Sequence, residues 1–174
     1  TVTDGNGCEF VFTSGSIQAV VYRSGLAATS SCTADESNCY RNVTLSEVGN
    51  TCAGGADTTG DASGTIGIWY FADSTNGASS TNSADTWQVS VTARDMEGSS
   101  GTSTDSTPPE LSVTVALNIA ANITYGSLSP NTSSSVGQAQ LANATNTGNY
   151  PIDVGFSGTD LSSGGNGISS TRER

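Results

Sequence analysis

From Leu111 to Tyr125 the chain alternates without interruption. Leu111, Val113, Val115, Leu117, Ile119, Ala121, Ile123 and Tyr125 share one parity, with Ser112, Thr114, Asn118, Asn122 and Thr124 between them. A period of two puts the apolar set on one face of an extended strand, and the β-branched content argues against a helix. At about 3.3 Å per residue such a strand would span ~50 Å, whereas strands usually run to about 5 or 6 residues. One small sheet cannot use all of it. The expectation is that two β-sandwich domains, residues 1–118 and 119–174, share it across a stiff junction near Asn118. The second piece is too short for a sandwich of about seven strands and ~100 residues. Its remaining strands are expected from further chain or from another subunit by strand addition.

Composition agrees with short strands joined by polar loops. The chain has 174 residues, 34% of them hydrophobic, and 21 are glycine. Five Arg stand against sixteen acidic residues, with no Lys and no His, for a net charge of -11. No basic patch can neutralise a phosphate backbone, so nucleic acid and anionic membranes are not expected partners. No apolar run reaches the ~20 residues of a transmembrane helix. The chain begins at Thr1 without a Met or a signal-like segment, so a removed leader or an excerpt of a longer chain is expected. Without His or Lys there is no Ser-His-Asp triad, Ser-Lys dyad, Schiff base, His-ligated metal or Lys-Asn isopeptide crosslink within the sequence. No pair of carboxylates stands out as a glycosidase acid and base, so no enzymatic activity is expected.

Cys8, Cys32, Cys39 and Cys52 form an even set in the first third of the chain. Disulfides in an oxidising compartment are the expected reading. A four-cysteine zinc site is the rival, but the spacing contains no CxxC pair. Three connectivities are open. Cys32 with Cys39, closing a short polar loop, and Cys8 with Cys52 are favoured.

Along the chain, "CEFVF" and "SIQAVVYRSG" read as strands or one bent strand. "TIGIWYFAD" is apolar on both parities and reads as a central strand covered on both sides. "TWQVSVTARD" places Trp87, Val89, Val91 and Ala93 on one face, a half-buried strand. The polar "MEGSSGTSTDSTPP" reads as a linker, or as a long hairpin loop between the last two strands of a sandwich. "ATNTGNYPIDVGFSG" reads as a turn followed by a strand carrying Ile152, Val154 and Phe156.

"TWQVSVTARDMEGSSGTSTDSTPPELSVTV" resembles the closing hairpin of bacterial Ig-like and polycystic-kidney-disease-type domains, and "NATNTGNYPIDVGFSGTDL" resembles a hairpin of repeated Ig-like modules. Residues 66 to about 168 together are similar to surface proteins frequent in candidate phyla radiation bacteria. The resemblance implies an all-β chain of two Ig-like β-sandwich domains at a cell surface, with further strands beyond "GNGI". It names no activity, because Ig-like folds host many functions.

Four sequons, at Asn42, Asn122, Asn131 and Asn143, are candidate glycan acceptors. Asp4, Asn6, Glu9, Asp73 and Asp95, with Asp57, Asp61 and Asp85, are candidate calcium ligands, although Asp and Asn also favour turns for local reasons. Trp69, Tyr70 and Trp87 sit at core-like positions, where packing is the expected role; exposed, they would stack on sugar rings. The expected function is an extracellular structural subunit of a filament, sheath or surface layer, assembled from identical copies through the Leu111–Tyr125 stripe. The alternative is an adhesin stalk or carbohydrate-binding module, with cell-surface glycans as partners.

Overall fold

The computed structural model describes residues 1–13, 15–26, 31–105, 107, 109–119, 143–155 and 157, with the backbone of 161–163 and 166–168. Among them the regular structure is almost wholly antiparallel strand. In order these are β1 (Val2–Thr3), the one-turn helix α1 (Glu9–Phe12), β2 (Ser16–Arg23), β3 (Cys39–Thr44), β4 (Ser46–Glu47), β5 (Thr59–Gly60), β6 (Ala62–Ser63), β7 (Trp87–Arg94), β8 (Ser100–Thr104), β9 (Leu117–Ile119), β10 (Ala144–Asn146), β11 (Leu161–Ser163) and β12 (Asn166–Ile168).

The main sheet has the order β3-β2-β7-β8. Its two long central strands, β2 and β7, pair without a break from Ser16↔Arg94 to Arg23↔Trp87. That register places Ile17, Ala19 and Val21 directly across from Ala93, Val91 and Val89, so one face of the sheet is continuously apolar. Trp87 is 2% exposed and clusters with Val21 and Ala72 against Tyr40, Ile66, Val89 and Leu111. On the opposite face Tyr22 packs with Cys32 and Cys39, flanked by Val20 and Leu26. The disulfides join Cys8 to Cys52 and Cys32 to Cys39. The first ties α1 to the loop before β5, and the second caps the Tyr22 face. Two disulfides fit an oxidising compartment. Among the described residues no helix is long and apolar enough to cross a membrane.

Local chemistry accounts for four departures from the sequence reading. "CEFVF" is not a strand: Gly7 turns the chain at a φ of 123°, and Phe12 and Thr13 donate back to the carbonyls of Cys8 and Glu9, closing a helical turn that buries Val11. The chain then crosses close to β7 at Gly15, where a Cβ would stand 2.1 Å from the carbonyl oxygen of Arg94. "TIGIWYFAD" is not a central strand either. Both edges of β2 are already taken by β3 and β7, and the segment instead runs as a loop whose Ile66 and Ala72 alone join the Trp87 cluster.

The polar "MEGSSGTSTDSTPP" is neither a linker nor wholly a loop. Asp95 to Ser99 form a tight turn, closed by Ser99 N donating to Asp95 Oδ1 at 2.8 Å, and Ser100–Thr104 return as β8. Thr92 and Thr102 hydrogen-bond across the pair at 2.8 Å, a cross-strand bond that holds an edge strand with no apolar residue.

The long alternation is the fourth departure. Among its described residues, 111–119, only Leu117–Ile119 lies in a strand, and Ser112 makes an isolated parallel bridge to Asn76. The stretch is passed from one partner to another. Pro109 O accepts from Trp87 N, and Leu111 O accepts from Thr75 N and Asn76 N, which tie it to β7 and the loop before it. From Thr114 onward it pairs with residues 144–149: Asn149 N donates to Thr114 O, Thr147 N to Ala116 O, and β9 runs antiparallel to β10. Ala121, Ile123 and Tyr125 lie outside the described residues, as does Phe156; Ile152 and Val154, expected in a strand after the turn, lie in irregular chain, and the strand of that segment is β10, before the turn.

Candidate functional site

Two surfaces, one groove and one ion cluster stand out among the described residues, and each arises from a local arrangement. The first surface is the β9–β10 ribbon. Leu111 and Val113 are half-buried, but burial changes parity after Thr114: Ala116 turns inward, while Val115, Leu117 and Ile119 are 65%, 44% and 59% exposed. The cause is the tight crossing at Gly148, which is buried and whose Cβ would meet Thr114 O at 2.1 Å and Ala116 N at 2.8 Å. Asn146 and Asn149 complete that crossing. Asn146 Oδ1 accepts from Gly148 N at 2.9 Å, and Asn149 Oδ1 accepts from Thr114 N at 2.6 Å while its Nδ2 donates to Ser112 O at 3.0 Å. Both amide side chains thus act as substitutes for backbone partners.

Beside β8, the edge strand of the main sheet among the described residues, the apolar face opens into a groove of about 1000 Å³. Val11, Ile17, Val89, Val91 and Ala93 line it, and Gly101 and Ser103 of β8 form its outer wall. The register explains the opening: Val91 and Ala93 face Ser103 and Gly101, so the apolar layer stops one strand short of the edge.

The second surface is aromatic. Trp69 and Tyr70 are 49% and 57% exposed, which corrects their core assignment, whereas Trp87 is in the core as expected. The Trp69 ring stacks on Phe71 with centroids 5.7 Å apart and planes 17° from parallel, and Tyr70 meets Phe71 edge-on at 5.1 Å. The loop is pinned from beneath. Trp69 N donates to Tyr40 Oη at 3.1 Å, Ala72 N to Trp69 O at 3.0 Å, and Asp73 N to Ser37 O at 2.7 Å. Tyr40 Oη in turn donates to Glu36 O. Burial raises the Tyr40 phenol above its ordinary range; the hydrogen bond from Trp69 opposes this, and the negative charges of Glu36, Asp35 and Asp73 reinforce it. Asp35, in the adjoining turn, is held below the usual carboxylate range by the hydroxyl and then the backbone N–H of Ser37.

The ion cluster lies next to the core. Arg23 donates from Nε to Asp73 Oδ2 at 2.9 Å and from a terminal nitrogen to Asp85, with all three side chains largely covered. Trp87 Nε1 donates to Asp73 O at 2.8 Å. Arg23 therefore fastens two loops to the end of β2.

The candidate calcium ligands do not converge. Asp73 is committed to Arg23, Asp4 Oδ1 accepts from Asn6 N at 2.9 Å in a local turn, and Asp95 caps the β7–β8 turn. Glu9 lies against the Cys8–Cys52 pair, the one grouping of three possible metal-ligating residues among those described, and its two sulfurs are bonded to each other. Asp57 Oδ2 accepts from Ala53 N at 3.1 Å, and Asp61 Oδ1 accepts from the Thr1 hydroxyl at 2.7 Å. Of the sequons, Asn42 and Asn143 are exposed, and Asn122 and Asn131 lie outside the described residues. Asn42 has a structural reason of its own. It sits at a φ of 58° in β3 where the register against β2 shifts, a bulge position that Asn tolerates well.

No protein-family model matches this chain, and no curated protein or solved structure matches it significantly.

Proposed function

We propose that this chain is an extracellular structural subunit that assembles with copies of itself by strand sharing into a filament, sheath or surface layer. The observation that carries the reading is the β9–β10 ribbon, which presents Val115, Leu117 and Ile119 to solvent in a row. Large exposed apolar rows mark interaction surfaces, and an unpaired apolar edge is a template for another strand. Charge favours a second copy as the occupant. Each chain carries a net charge of -11, yet Leu111–Ile119 contains no charged residue, so like-charged copies meet with least repulsion there.

The groove beside β8 supplies the complementary half, an apolar floor beside an edge strand. Ribbon into groove is a head-to-tail contact between different patches, and such contacts grow open polymers unless a rotation closes them into a ring.

The test uses one variant for each half. Leu117→Asp disables the ribbon, and Ser103→Arg, at an exposed position on β8, blocks the groove without touching the core. Light scattering and negative-stain electron microscopy should show polymers of the unaltered chain and monomers of either variant. An equimolar mixture should form dimers and nothing longer, since one intact ribbon and one intact groove remain. An unaltered chain that stays monomeric at high concentration would overturn the reading. Polymers with no dimers in the mixture would refute the pairing of ribbon with groove.

A further inference from the structure

The aromatic loop has a different character from the ribbon. Trp69 stacks on Phe71 and still leaves about half of its surface, 49%, exposed to solvent. Two large aromatics at the surface are normally a cost, and a loop free to move would fold them inward. This one is anchored at both ends: Ala72 is fully buried in the Trp87 cluster, and the Trp69 backbone is bonded to Tyr40. The ring is therefore held outward before any partner arrives, so little ordering cost remains for binding.

The surroundings select the partner chemistry. The adjoining turn carries Asp35, Glu36 and Ser37, with the Glu36 backbone linked through Tyr40 Oη to the Trp69 amide. Asp35 is occupied by Ser37. Glu36 is exposed, and a carboxylate there accepts hydrogen bonds from hydroxyl donors. With no Lys or His in the sequence and a net charge of -11, an anionic ligand is disfavoured. An exposed indole suits a flat ligand surface made of C–H groups, and an exposed carboxylate in the adjoining turn suits hydroxyl donors.

We infer that Trp69, Tyr70 and Glu36 form a binding platform for a neutral pyranose sugar, with one ring stacked on the exposed indole of Trp69 and its hydroxyls donating to Glu36. The site lies on loops anchored to the main sheet and does not depend on assembly.

The two tryptophans make the test selective, since Trp87 is 2% exposed and Trp69 49%. Acrylamide quenching of the full chain's fluorescence should report mainly Trp69. Cellohexaose, maltohexaose and chitohexaose are titrated to millimolar concentration. At least one should protect the quenchable signal, and isothermal titration should then show at least roughly tenfold weaker binding for Trp69→Ala and a several-fold loss for Glu36→Gln. Both changes are at exposed positions, and the circular dichroism and melting profile should match the unaltered chain. Protection by none of the three sugars overturns the proposal. Protection by tetramethylammonium but not by sugars would also overturn it, in favour of a cation held over the ring.

Discussion

The two disulfides should contribute unequally, and the inequality can be worked from their positions. Cys8–Cys52 closes a separation of 44 residues and Cys32–Cys39 one of 7. If a crosslink acts by restricting the unfolded chain, the longer loop stabilises by about 4 kcal/mol and the shorter by about 2 kcal/mol. All four sulfurs are buried, so replacing either pair by alanine removes a similar amount of packing. That shared loss largely cancels in the comparison. The difference of about 2 kcal/mol, with a urea slope of about 1–3 kcal/mol per molar, corresponds to midpoints separated by roughly 1 M. The assay is equilibrium urea unfolding of Cys8→Ala/Cys52→Ala and of Cys32→Ala/Cys39→Ala beside the unaltered chain. The first should be the less stable, and against a typical stability of about 5–15 kcal/mol it should be close to marginal. Equal midpoints, or the reverse order, would refute the loop-entropy argument. They would mean that packing of Cys32–Cys39 on Tyr22 outweighs chain restriction.

Three further outcomes are expected. Arg23→Ala leaves Asp73 and Asp85 facing each other without their cation and should cost about 3 kcal/mol, at the low end for breaking a covered ion pair; Arg94→Ala on the exposed face should cost under about 0.5 kcal/mol by the same chemical denaturation. Gly148→Ala puts a methyl group against the Thr114 carbonyl, so hydrogen exchange at Thr147 and Asn149 should accelerate while protection across β2 and β7 is unchanged; retained protection at Thr147 would disprove the close crossing. Burial raises the Tyr40 pKa in the folded state, so its contribution is fully present below the ordinary phenol value near 10 and is lost as pH rises from there through the raised value. Alkaline melting curves of Tyr40→Phe should lack that component, and an identical loss in both proteins would place it at another group.

Legibility differed from element to element for definite reasons. β7 could be read because Trp87, Val89, Val91 and Ala93 alternate cleanly and the strand has one apolar neighbour on its inner face. The all-β character followed from the same alternation and from the scarcity of helix formers. β8 was hidden, since "SGTST" carries no apolar residue to mark it; backbone pairing to β7 alone defines it. α1 was hidden too, because four apolar or acidic residues fit either period, and the turn at Gly7 and the disulfide at Cys8 decided between them. In the candidate site, Trp69 and Tyr70 were legible as residues to watch, but their exposure was not. It depends on β3 having taken the edge of β2 that their segment would otherwise have used.

Two segments that the apolar pattern assigned to a core, 66–71 and 111–119, carry most of the large apolar side chains exposed among the described residues. Periodicity records how much apolar surface a segment can offer, and it is silent about whether the fold has a face left to receive it. Here the inner face of the main sheet is filled around Trp87 by Ile66, Ala72 and Leu111, and Ile68, Trp69, Tyr70, Val115, Leu117 and Ile119 stay exposed. One surplus is aromatic and pinned to the turn that carries Asp35 and Glu36, which suits a small polar ligand with an apolar face. The other is extended, uncharged and aliphatic, which suits a strand of another copy. The contrast between them is why a single excess of apolar sequence supports two different proposals, each with its own variant and its own readout.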